Sequence, residues 1–491
     1  MTTNRRNFLK AATFAGAGAM TGGLINGCTP EQPVSNLAAI LESARKAHTQ
    51  KFNMSGYAAP PIPVVRVGFI GLGDRGSEAV KRLSFIEGVE ITAICDIRKA
   101  ALDGTQKYLN SAGRSAAREF TGDDFAWKKL VELPDLDLIY IVTPWSWHTR
   151  MAVYAMENGK HTCCEVPIAK TVDEAWQLVE TSEKTKKHCM MLENCCYDFF
   201  ELLTLNMARQ GMFGDIIHGE GAYIHNLLEM NFRKPKDDQQ TDDAYTNMWR
   251  LRENATRNGN VYPTHGLGPI CQALNINRGD KMEHLSSVST SDFSMGPKEK
   301  ELLSNDQFYS EWKDSKFRGN LNTSIIKTAL GKTIMVQHDT SSTQPYSRIH
   351  LVKGTRGMVC KYPIEHIALG ENWADESTMK ELYEKYTPEI IRRVGEMAKK
   401  VGGHGGMDFI MDWRTIDCLR NGLPLDQNVY DGALWSSIAP LSEWSVANNS
   451  QSIIVPDFTG GAWKNNKPHD INLEAGGNTK VLELKEAGSV I

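Results

Sequence analysis

The sequence lacks several features that would assign it to common functional classes. No apolar run reaches the roughly 18 residues of a membrane-spanning helix, which argues against an integral span. Lysine and arginine (55) do not outnumber aspartate and glutamate (59), and the net charge of −4 leaves no basic excess for binding nucleic acid. The ten cysteines form no C-x-x-C pair, so we expect buried thiols and no metal site.

The first 28 residues are interpreted as an export signal. Asn4-Arg5-Arg6-Asn7-Phe8-Leu9-Lys10 resembles the twin-arginine motif, and a short glycine-rich apolar stretch follows it. Ile25-Asn-Gly-Cys28 resembles a lipobox, in which Cys28 would be acylated; plain signal-peptidase cleavage and no processing are the alternatives. Residues 29–63 are polar and then proline-rich, which predicts a tether. We therefore expect twin-arginine export to the periplasm or cell envelope, with membrane contact only through the lipid.

A glycine-rich turn is the most informative motif. Val64 to Ile70 is typical of a buried strand, and Gly71-x-Gly73-x-x-Gly76 follows it before a predicted helix. Asp96 ends the next apolar run, 20 residues after Gly76. This layout predicts a dinucleotide-binding βαβ unit, in which the glycines admit a pyrophosphate and the acid binds a ribose diol. An acid here favours NAD as cofactor, and Arg98 nearby keeps NADP as the alternative.

The rest of the chain predicts an α/β protein with two domains, because its length exceeds one ordinary core. Strands and helices alternate over residues 64–193, which predicts a doubly wound, Rossmann-like parallel sheet. Alternating runs, of which Ile216 to His225 is the first, predict an α+β domain with an open, mainly antiparallel sheet over residues 194–491. The charged stretch Phe232 to Asp243 is predicted to be a surface loop.

Three short motifs carry candidate chemistry. Thr143-Pro-Trp-Ser-Trp-His148 follows a predicted strand, where parallel sheets bind ligands; its rings could line a ligand or pack the next helix onto the sheet. Glu165-Val166-Pro167 ends the following strand. Tyr262-Pro-Thr-His265 begins a predicted helix, and histidine is suited to proton transfer near neutral pH.

These motifs resemble those of a known superfamily. At Glu165-Val166-Pro167 the chain resembles the glucose–fructose oxidoreductase and inositol dehydrogenase (Gfo/Idh/MocA) family, whose dehydrogenases carry a proton-transferring lysine where Val166 stands. Residues 64–465 resemble glycoside hydrolase family 109, the NAD-dependent α-N-acetylgalactosaminidase branch. This closer resemblance is carried, in order, by the twin-arginine leader and by Gly-Leu-Gly-Asp-Arg-Gly, Trp-Ser-Trp-His, Glu-Val-Pro, Glu-Asn-Cys-Cys-Tyr, Tyr-Pro-Thr-His-Gly and Pro-Tyr-Ser-Arg.

The resemblance implies roles for individual residues. The residues implied to bind NAD include those of the glycine turn. They are Gly71, Gly73, Asp74, Arg75, Gly76, Asp96, Trp145, Ser146, Trp147, His148, Glu165, Val166 and Asn194. Those implied to contact the sugar are Tyr223, Arg250, Tyr262, Pro263, Thr264, His265 and Tyr346. Tyr262 and His265 are implied to be catalytic, with Tyr197 as a further candidate base.

Simpler interpretations of some of these residues stay open. Tyr223 and Tyr346 could be ordinary sheet aromatics, Arg250 a surface charge and Tyr197 a core tyrosine. His404, within Gly402-Gly-His-Gly-Gly406, could reach the site or belong to a plain glycine-rich turn.

The resemblance also implies a mechanism that differs from that of most glycosidases, which place two carboxylates across the scissile bond. No such pair stands out here. The implied sequence is hydride transfer from sugar C3 to NAD⁺, removal of the C2 proton by tyrosinate or histidine, departure of the C1 group, addition of water and return of the hydride. We therefore expect hydrolysis of terminal α-linked N-acetylgalactosamine from glycans.

Two rival functions remain. A sugar or cyclitol oxidoreductase would accumulate NADH, and Val166 argues against it. A non-catalytic sugar-binding protein is the second rival, and the Tyr262–His265 motif argues against that. Members of the superfamily often associate through the open sheet, so a homo-oligomer is expected.

Overall fold

The computed structural model describes residues 37–234 and 245–483, which belong to one compact unit. The predicted export signal, Cys28, residues 29–36 and most of the predicted loop Phe232 to Asp243 lie outside the described residues. Within the described ranges, no helix combines the length and apolar character that crossing a membrane requires.

The N-terminal half is built on a six-stranded parallel sheet, as predicted. Its strands are β1 (Val65–Ile70), β2 (Val89–Cys95), β3 (Arg118–Phe120), β4 (Leu138–Ile141), β5 (His161–Cys164) and β6 (Cys189–Met191). The strand order is β3-β2-β1-β4-β5-β6. The order of strands reverses between β1 and β4, and this is where doubly wound sheets bind their ligands.

One helix lies between each pair of successive strands of this sheet, and two further helices lie before and after them. These helices are α1 (Leu37–Ala44), α2 (Asp74–Ser84), α3 (Lys99–Ser111), α4 (Ala126–Val131), α5 (Trp145–Glu157), α6 (Val172–Thr185) and α7 (Phe199–Arg209). Helix α6 begins after a capping box in which Thr171 and Glu174 each bind the other's backbone N–H.

Residues 37–63 are folded, so the predicted tether is wrong over this range. The Trp176 indole N–H donates to the Ser43 carbonyl oxygen at 3.0 Å, and His48 Nε2 lies 2.8 Å from Glu183 Oε1. Apolar side chains of the segment are also buried, namely Ile40, Ala44, Met54 and Ala59. The polar and proline-rich composition was misleading because a few buried apolar residues and hydrogen bonds to distant helices hold the segment in place.

The C-terminal half contains a nine-stranded sheet. Its strands are β7 (Ile216–Ile224), β8 (Met282–Ser289), β9 (Leu321–Thr328), β10 (Thr333–Asp339), β11 (Leu351–Gly354), β12 (Gly357–Cys360), β13 (His366–Leu369), β14 (Asn372–Trp373) and β15 (Ile453–Ile454). Their order is β14-β13-β12-β11-β7-β10-β9-β8-β15. Among the described strands of this second sheet, only β7 and β10 pair in parallel, so the predicted mainly antiparallel sheet is confirmed.

Eight described helices belong to this half, and some of them pack against the first half. They are α8 (Leu228–Phe232), α9 (Trp249–Thr256), α10 (Thr264–Ala273), α11 (Met295–Asn305), α12 (Glu376–Tyr386), α13 (Glu389–Val401), α14 (Met407–Asn421) and α15 (Val429–Ala447). Helices α14 and α15 are buried along almost their whole length and pack against α2 and α6, respectively. The two predicted domains therefore share one continuous apolar core.

Two smaller expectations concern side-chain burial. Phe232 is buried against Phe317 at the end of α8, so the predicted surface loop does not begin at that residue. The nine described cysteines are free thiols, and all but the half-buried Cys360 are buried, which confirms the interpretation as buried thiols for that part of the chain.

Candidate active site

The candidate site lies along the edge where four parallel strands end. Gly71 follows β1, Thr143 lies two residues after β4, Glu165 follows β5, and Glu193 lies two residues after β6. These four strands are neighbours in the sheet, so the residues that follow them share one edge. Ligands of doubly wound sheets bind at this edge.

The glycine turn has the shape that a pyrophosphate requires. Gly71 has φ of +92°, and a Cβ there would lie 2.3 Å from the Val142 carbonyl oxygen. A Cβ at Gly76 would lie 2.0 Å from the Gly71 carbonyl oxygen, whereas one at Gly73 would meet nothing within 3.6 Å. Gly73 also caps α2 without a side-chain hydrogen bond. The turn therefore lets a pyrophosphate approach the backbone closely, and it leaves the N-terminus of α2 accessible to an anion.

Asp96 lies beside this turn at the end of β2, as the motif predicts. Its Oδ2 accepts a hydrogen bond from the Leu72 backbone N–H at 2.8 Å. Its Oδ1 accepts hydrogen bonds from the Arg98 backbone N–H at 2.8 Å and from Arg98 Nε at 3.1 Å. Asp96 is thus fixed next to the turn by two neighbours, and its contact with a ribose stays a prediction.

Arg75, in the first turn of α2, connects two acidic residues. Its Nη2 lies 2.8 Å from Glu165 Oε1, and its Nη1 lies 2.6 Å from Asp408 Oδ2 at the beginning of α14. Burial raises the pKa of Asp408, but Arg75 and its other partners outweigh this effect and hold the pKa well below its ordinary value. Asp408 is therefore a buried anion in contact with residues implied to bind the cofactor.

Asp408 also gathers two further candidates. The Asn194 side-chain amide donates to Asp408 Oδ1, and His404 Nδ1 lies 2.9 Å from Asp408 Oδ2. Gly402, Gly403, Gly405 and Gly406 all have positive φ, which lets the chain turn sharply around His404. The loop therefore places His404 beside Asp408. This position favours the interpretation in which His404 reaches the site over that of a plain glycine-rich turn.

Trp145 links the cofactor edge to the second half. Its ring is stacked on Tyr262, with centroids 5.5 Å apart and an interplanar angle of 23°. The Arg250 guanidinium carbon lies 5.3 Å from the Trp145 ring centroid and 4.9 Å from that of Tyr262. Arg250 Nη1 donates to the Tyr245 hydroxyl at 2.7 Å, and the buried Nη2 makes no well-directed hydrogen bond within the described ranges. Arg250 is thus not a surface charge.

Tyr223 on β7 belongs to the same aromatic cluster, which consists of Trp145, Tyr223, Tyr262 and His265. Its ring centroid lies 4.7 Å from that of Tyr262 and 5.3 Å from that of His265. Its hydroxyl lies 3.1 Å from His225 Nδ1. Burial raises the pKa of Tyr223 to about 12, although Arg250 opposes the shift. Tyr223 is therefore a neutral phenol at physiological pH.

Tyr262 and His265 lie together at the start of α10. The Tyr262 hydroxyl lies 3.4 Å from His265 Nε2, and His265 Nδ1 lies 2.7 Å from Glu193 Oε1. Burial raises the pKa of Tyr262 well above its ordinary value, and Arg250 opposes this effect. Pro263 precedes the helix, and Thr264, its first residue, is fully buried.

Glu193, Cys195 and His265 also form a set of potential metal ligands, with one atom from each lying within 4.8 Å of the others. His265 Nδ1 and Glu193 Oε1 are only 2.7 Å apart. Two ligand atoms of one tetrahedral zinc ion would lie about 3.3 Å apart, given bonds of roughly 2.0 Å. The geometry therefore favours a hydrogen bond, and the expected absence of a metal site stays a prediction.

Two candidate residues lie apart from this cluster. The Tyr197 ring is buried and its hydroxyl donates to the buried Asp426 at 3.3 Å, which favours the interpretation as a core tyrosine. His148 is fully buried, with Nδ1 2.7 Å from the Pro167 carbonyl oxygen and Nε2 2.6 Å from that of Thr143. Its side chain joins α5 to two strand ends, so packing explains it better than contact with a cofactor.

The remaining candidate residues differ in their exposure to solvent. Asp74 is exposed, and Ser146 and Trp147 are half-buried, whereas Val166 is buried beside Glu165. Tyr346 is exposed, and its hydroxyl accepts a hydrogen bond from Arg348 Nη1 at 3.2 Å.

Several residues of the site were not identified from sequence. They are Glu193, His225, Tyr245, Trp249 and Asp408. Glu193 did carry a signal, because an acid near the end of a parallel strand is typical of such sites. Asp408 carried none, because only the packing of α14 brings it next to Arg75.

Profiles of two protein families match the chain. Residues 197–465 match "Glycosyl hydrolase 109, C-terminal domain", and residues 65–193 match "Oxidoreductase family, NAD-binding Rossmann fold". A "Glycosyl hydrolase family 109 protein" from Shewanella sp. (strain W3-18-1) is 44% identical over 473 residues, which is 95% of this chain and 98% of that protein. A second one, from Shewanella pealeana, is 43% identical over 476 residues, which is 95% of this chain and 99% of that protein.

Solved structures share the fold at much lower identity. An oxidoreductase domain protein from Kribbella flavida gives a TM-score of 0.60 at 15% identity, over 80% of this chain and 100% of that chain. A scyllo-inositol dehydrogenase from Lactobacillus casei, solved with bound NAD(H) and scyllo-inositol, gives 0.55 at 13% identity, over 80% and 99%. These likenesses concern the fold alone. The family profile agrees with the glycine turn in identifying the N-terminal half as an NAD-binding Rossmann fold.

Proposed function

The chain belongs to glycoside hydrolase family 109, and from that premise we propose that it hydrolyses terminal α-linked N-acetylgalactosamine with NAD as a recycled cofactor. NAD is the cofactor of its Rossmann half. Family and fold together support an NAD-dependent glycosidase or sugar oxidoreductase. The sugar, the anomer and the sequence of steps are part of the proposal.

The observation that carries the proposal is the stacking of Trp145 on Tyr262. Trp145 follows β4 at the cofactor edge, and Tyr262 precedes α10 in the other half. Because the two rings are in contact, a sugar beside Tyr262 and His265 would also lie beside the cofactor edge. One site can therefore serve both oxidation and proton transfer, which a redox glycosidase requires.

NAD, when bound, supplies a reversible oxidation of the sugar at C3, which acidifies the C2–H and allows the C1 substituent to leave before water adds and C3 is reduced. The protein's own task is to move the C2 proton. Burial keeps the Tyr262 phenol neutral, so it needs a base to become a proton acceptor. His265 Nε2, at 3.4 Å from the phenol oxygen, is that base.

Arg250 and Tyr223 are suited to hold the sugar between these groups. The buried Arg250 Nη2 has donor capacity that no described side chain uses in a well-directed hydrogen bond, and sugar hydroxyl or acetamido oxygens are acceptors. The guanidinium also interacts with the Tyr223 hydroxyl, and a polar ligand beside the two is expected to complete its hydrogen bonds. The exposed Tyr346 would contact the sugar from the rim of the site.

The alternative function, a sugar or cyclitol oxidoreductase, is less well supported. Val166 is buried and carries no group that could donate, accept or titrate. The lysine that dehydrogenases of the superfamily use at this position is therefore missing. The glycosidase assignment does not need it, since Tyr262 and His265 supply the proton transfer.

The assay that distinguishes these functions follows two products at once. The purified enzyme with bound NAD is incubated with p-nitrophenyl α-N-acetylgalactosaminide, and nitrophenol and NADH are quantified in separated samples. We expect many nitrophenol molecules per enzyme and no net NADH. NADH formed in proportion to the sugar consumed would instead establish the oxidoreductase. The matching α-galactoside, which lacks the acetamido group, is the control for the choice of sugar.

We also propose that the protein is exported by the twin-arginine route and anchored in the cell envelope through Cys28. The leader sequence Asn4 to Lys10 and the lipobox-like Ile25 to Cys28 support this proposal. Replacing Arg5 and Arg6 together by lysine is expected to leave the protein in the cytosol, and Cys28→Ala is expected to abolish lipid labelling. A lipid-labelled Cys28→Ala product would contradict the anchor.

We propose that the protein forms a homo-oligomer through the open face of its C-terminal sheet. Val288 on β8 and Ile325 on β9 are exposed, and the pairing of Ser286 with Ile325 places both apolar residues on one face. Two such faces could bury each other's apolar surface. Light scattering tests this proposal: Val288→Asp is expected to lower the measured mass, and a monomeric wild type would contradict it.

A further inference from the structure

Glu193 is a buried carboxylate in direct contact with His265. It is fully buried, and its Oε1 lies 2.7 Å from His265 Nδ1. Burial raises the pKa of Glu193, but its contacts with His265 and with the Cys195 backbone N–H together outweigh this effect and lower the pKa below its ordinary value. These contacts favour the ionised form of Glu193. An ionised carboxylate only accepts hydrogen bonds, so the proton of the contact belongs to His265 Nδ1.

The surroundings of Glu193 hold it in this position. The Cys195 backbone N–H donates to Glu193 Oε1 at 3.1 Å, and the Gln427 side-chain amide donates to the Glu193 carbonyl oxygen at 2.9 Å. A Cβ at Gly268 in α10 would lie 3.0 Å from Glu193 Cγ, so glycine there leaves room for the carboxylate. The Cys195 N–H thus holds the carboxylate itself, Gln427 holds the Glu193 backbone, and Gly268 leaves space for the side chain.

This contact decides which nitrogen of His265 is available. A neutral imidazole carries one proton, and a proton on Nδ1 leaves the lone pair on Nε2. Nε2 is the atom that faces the Tyr262 hydroxyl at 3.4 Å. If the proton were on Nε2 instead, neither nitrogen could accept the phenol proton without a second rearrangement.

We infer that Glu193 is a positioning residue that holds His265 in the Nδ1–H form, so that Nε2 accepts the proton of Tyr262. The transfer breaks the O–H bond of Tyr262 and forms an Nε2–H bond, giving a phenolate and an imidazolium. Glu193 stays ionised and provides the buried counter-charge to that imidazolium, the arrangement found in serine-protease triads. The use of this phenolate in glycoside cleavage rests on the proposed function.

The tautomer can be measured without any substrate. In the wild-type enzyme with bound NAD and ¹⁵N-labelled histidine, NMR is expected to show His265 protonated at Nδ1 and not at Nε2. The His265 signals are assigned by their loss in His265→Asn. A wild-type spectrum with the proton on Nε2 would overturn the inference, whatever the enzyme hydrolyses.

Two variants test the consequence for turnover. Glu193→Leu removes the acceptor and is expected to lower kcat by about 100- to 10,000-fold, the scale seen when a triad histidine has the wrong tautomer. Glu193→Gln keeps an acceptor but removes the charge, so its spectrum should keep the Nδ1–H form and its kcat should fall less. KM and bound NAD should change little in both. A kcat within threefold of wild type in both variants would contradict the inference.

Glu183 supplies a matched control. It is also a fully buried glutamate, and its Oε1 lies 2.8 Å from His48 Nε2 in the N-terminal segment. Glu183→Gln is expected to affect folding stability but to keep kcat near wild type. Equal losses of kcat in Glu183→Gln and Glu193→Gln would assign the effect to general destabilisation and overturn the inference. Absence of glycosidase activity in the wild type, with the Nδ1–H form present, would instead overturn only the proposed function.

Discussion

Arg75 Nη1 and Asp408 Oδ2 lie 2.6 Å apart, although 333 positions separate the two residues in the chain. The contact joins the first turn of α2, which lies within the glycine motif, to the start of α14. Glu165 occupies the other side of the same guanidinium, at 2.8 Å. A helix of the other half therefore contacts the predicted cofactor site of the Rossmann half, and the position of Arg75 depends on how the two halves pack.

Asp408→Asn is expected to weaken NAD binding, because Arg75 and Asn194 lose the anion that positions them. Loss of this partly exposed ion pair also lowers stability, by less than the about 3–5 kcal/mol of a fully buried one. The measurement is the fraction of protein that retains NAD after gel filtration, read by mass spectrometry of the denatured sample. Occupancy equal to wild type would contradict the role of Asp408.

Asp417 provides the control for this prediction. It lies in the same helix, α14, and is fully buried, and its Oδ2 lies 3.0 Å from Arg414 Nη1. This ion pair is not part of the cofactor edge. Asp417→Asn is expected to lower the free energy of unfolding to a similar extent without loss of NAD. A parallel loss of NAD in both variants would mean that destabilisation alone explains the effect.

Asp96→Ala is expected to weaken NAD binding by about 1–3 kcal/mol, the scale for hydrogen bonds to a charged group. Asp96 lies beside the glycine turn and accepts the Leu72 N–H, so the variant removes both the proposed ribose contact and one turn contact. Calorimetric titration of the cofactor-free protein with NAD⁺ gives the affinity. Asp103→Ala, in an exposed ion pair with Lys99, is the control. Unchanged affinity in Asp96→Ala would remove Asp96 from the site.

Tyr262→Phe and His265→Ala are each expected to lower turnover about 100-fold or more, because proton-transfer groups contribute on that scale. Bound NAD should survive both substitutions. Tyr197→Phe is the matched control, since its hydroxyl contacts the buried Asp426 and not the aromatic cluster. It should keep turnover and lose about 1 kcal/mol of stability, the value of one hydrogen bond. The assignment fails if Tyr197→Phe is the variant that loses turnover.

Buried His350 predicts a specific sensitivity to acid. Burial, with a further contribution from Lys361, lowers its pKa from 6.5 to about 3. Below pH 6.5 the unfolded chain binds a proton that the folded protein does not, so stability is complete above that pH and falls as the pH decreases toward about 3. The slope from one such group approaches about 1.4 kcal/mol per pH unit.

His350→Gln should reduce this slope in urea titrations between pH 6 and 4, where the variant lacks the titrating group. Thr204→Val is the control, because it removes the hydroxyl 3.2 Å from His350 Nε2 but leaves the imidazole in place. It should keep the wild-type slope. Identical pH dependence in His350→Gln and the wild type would contradict the neutral, buried state of His350.

Local patterns were sufficient to predict the N-terminal sheet. The spacing of Gly71, Gly73 and Gly76 is set by the turn itself, so a short stretch of sequence contains the information. The same holds for the Tyr262–His265 pair, whose spacing of three residues places both at one helix start. Residues that act through such local geometry are predictable because their neighbours in space are also their neighbours in the chain.

The rest of the site depends on packing that no local pattern contains. Helix α14 carries Asp408, Asp412 and Asp417, a composition typical of an exposed helix, yet all three carboxylates are buried. They are buried because arginines from distant positions, such as Arg75 and Arg82, pair with them. For Tyr197 the sequence left two interpretations open, a candidate base and a core tyrosine, and its burial against Asp426 favours the second.

The most direct test of a recycled NAD is the turnover of enzyme from which the cofactor has been removed. NAD is stripped by partial unfolding and refolding, and recovery of the native fold is checked by circular dichroism. Hydrolysis of the α-N-acetylgalactosaminide is expected to fall by at least about 100-fold, as it does when a catalytic group is lost, and to return when NAD⁺ is added back. Hydrolysis at the full rate by the refolded, NAD-free enzyme would contradict the redox mechanism.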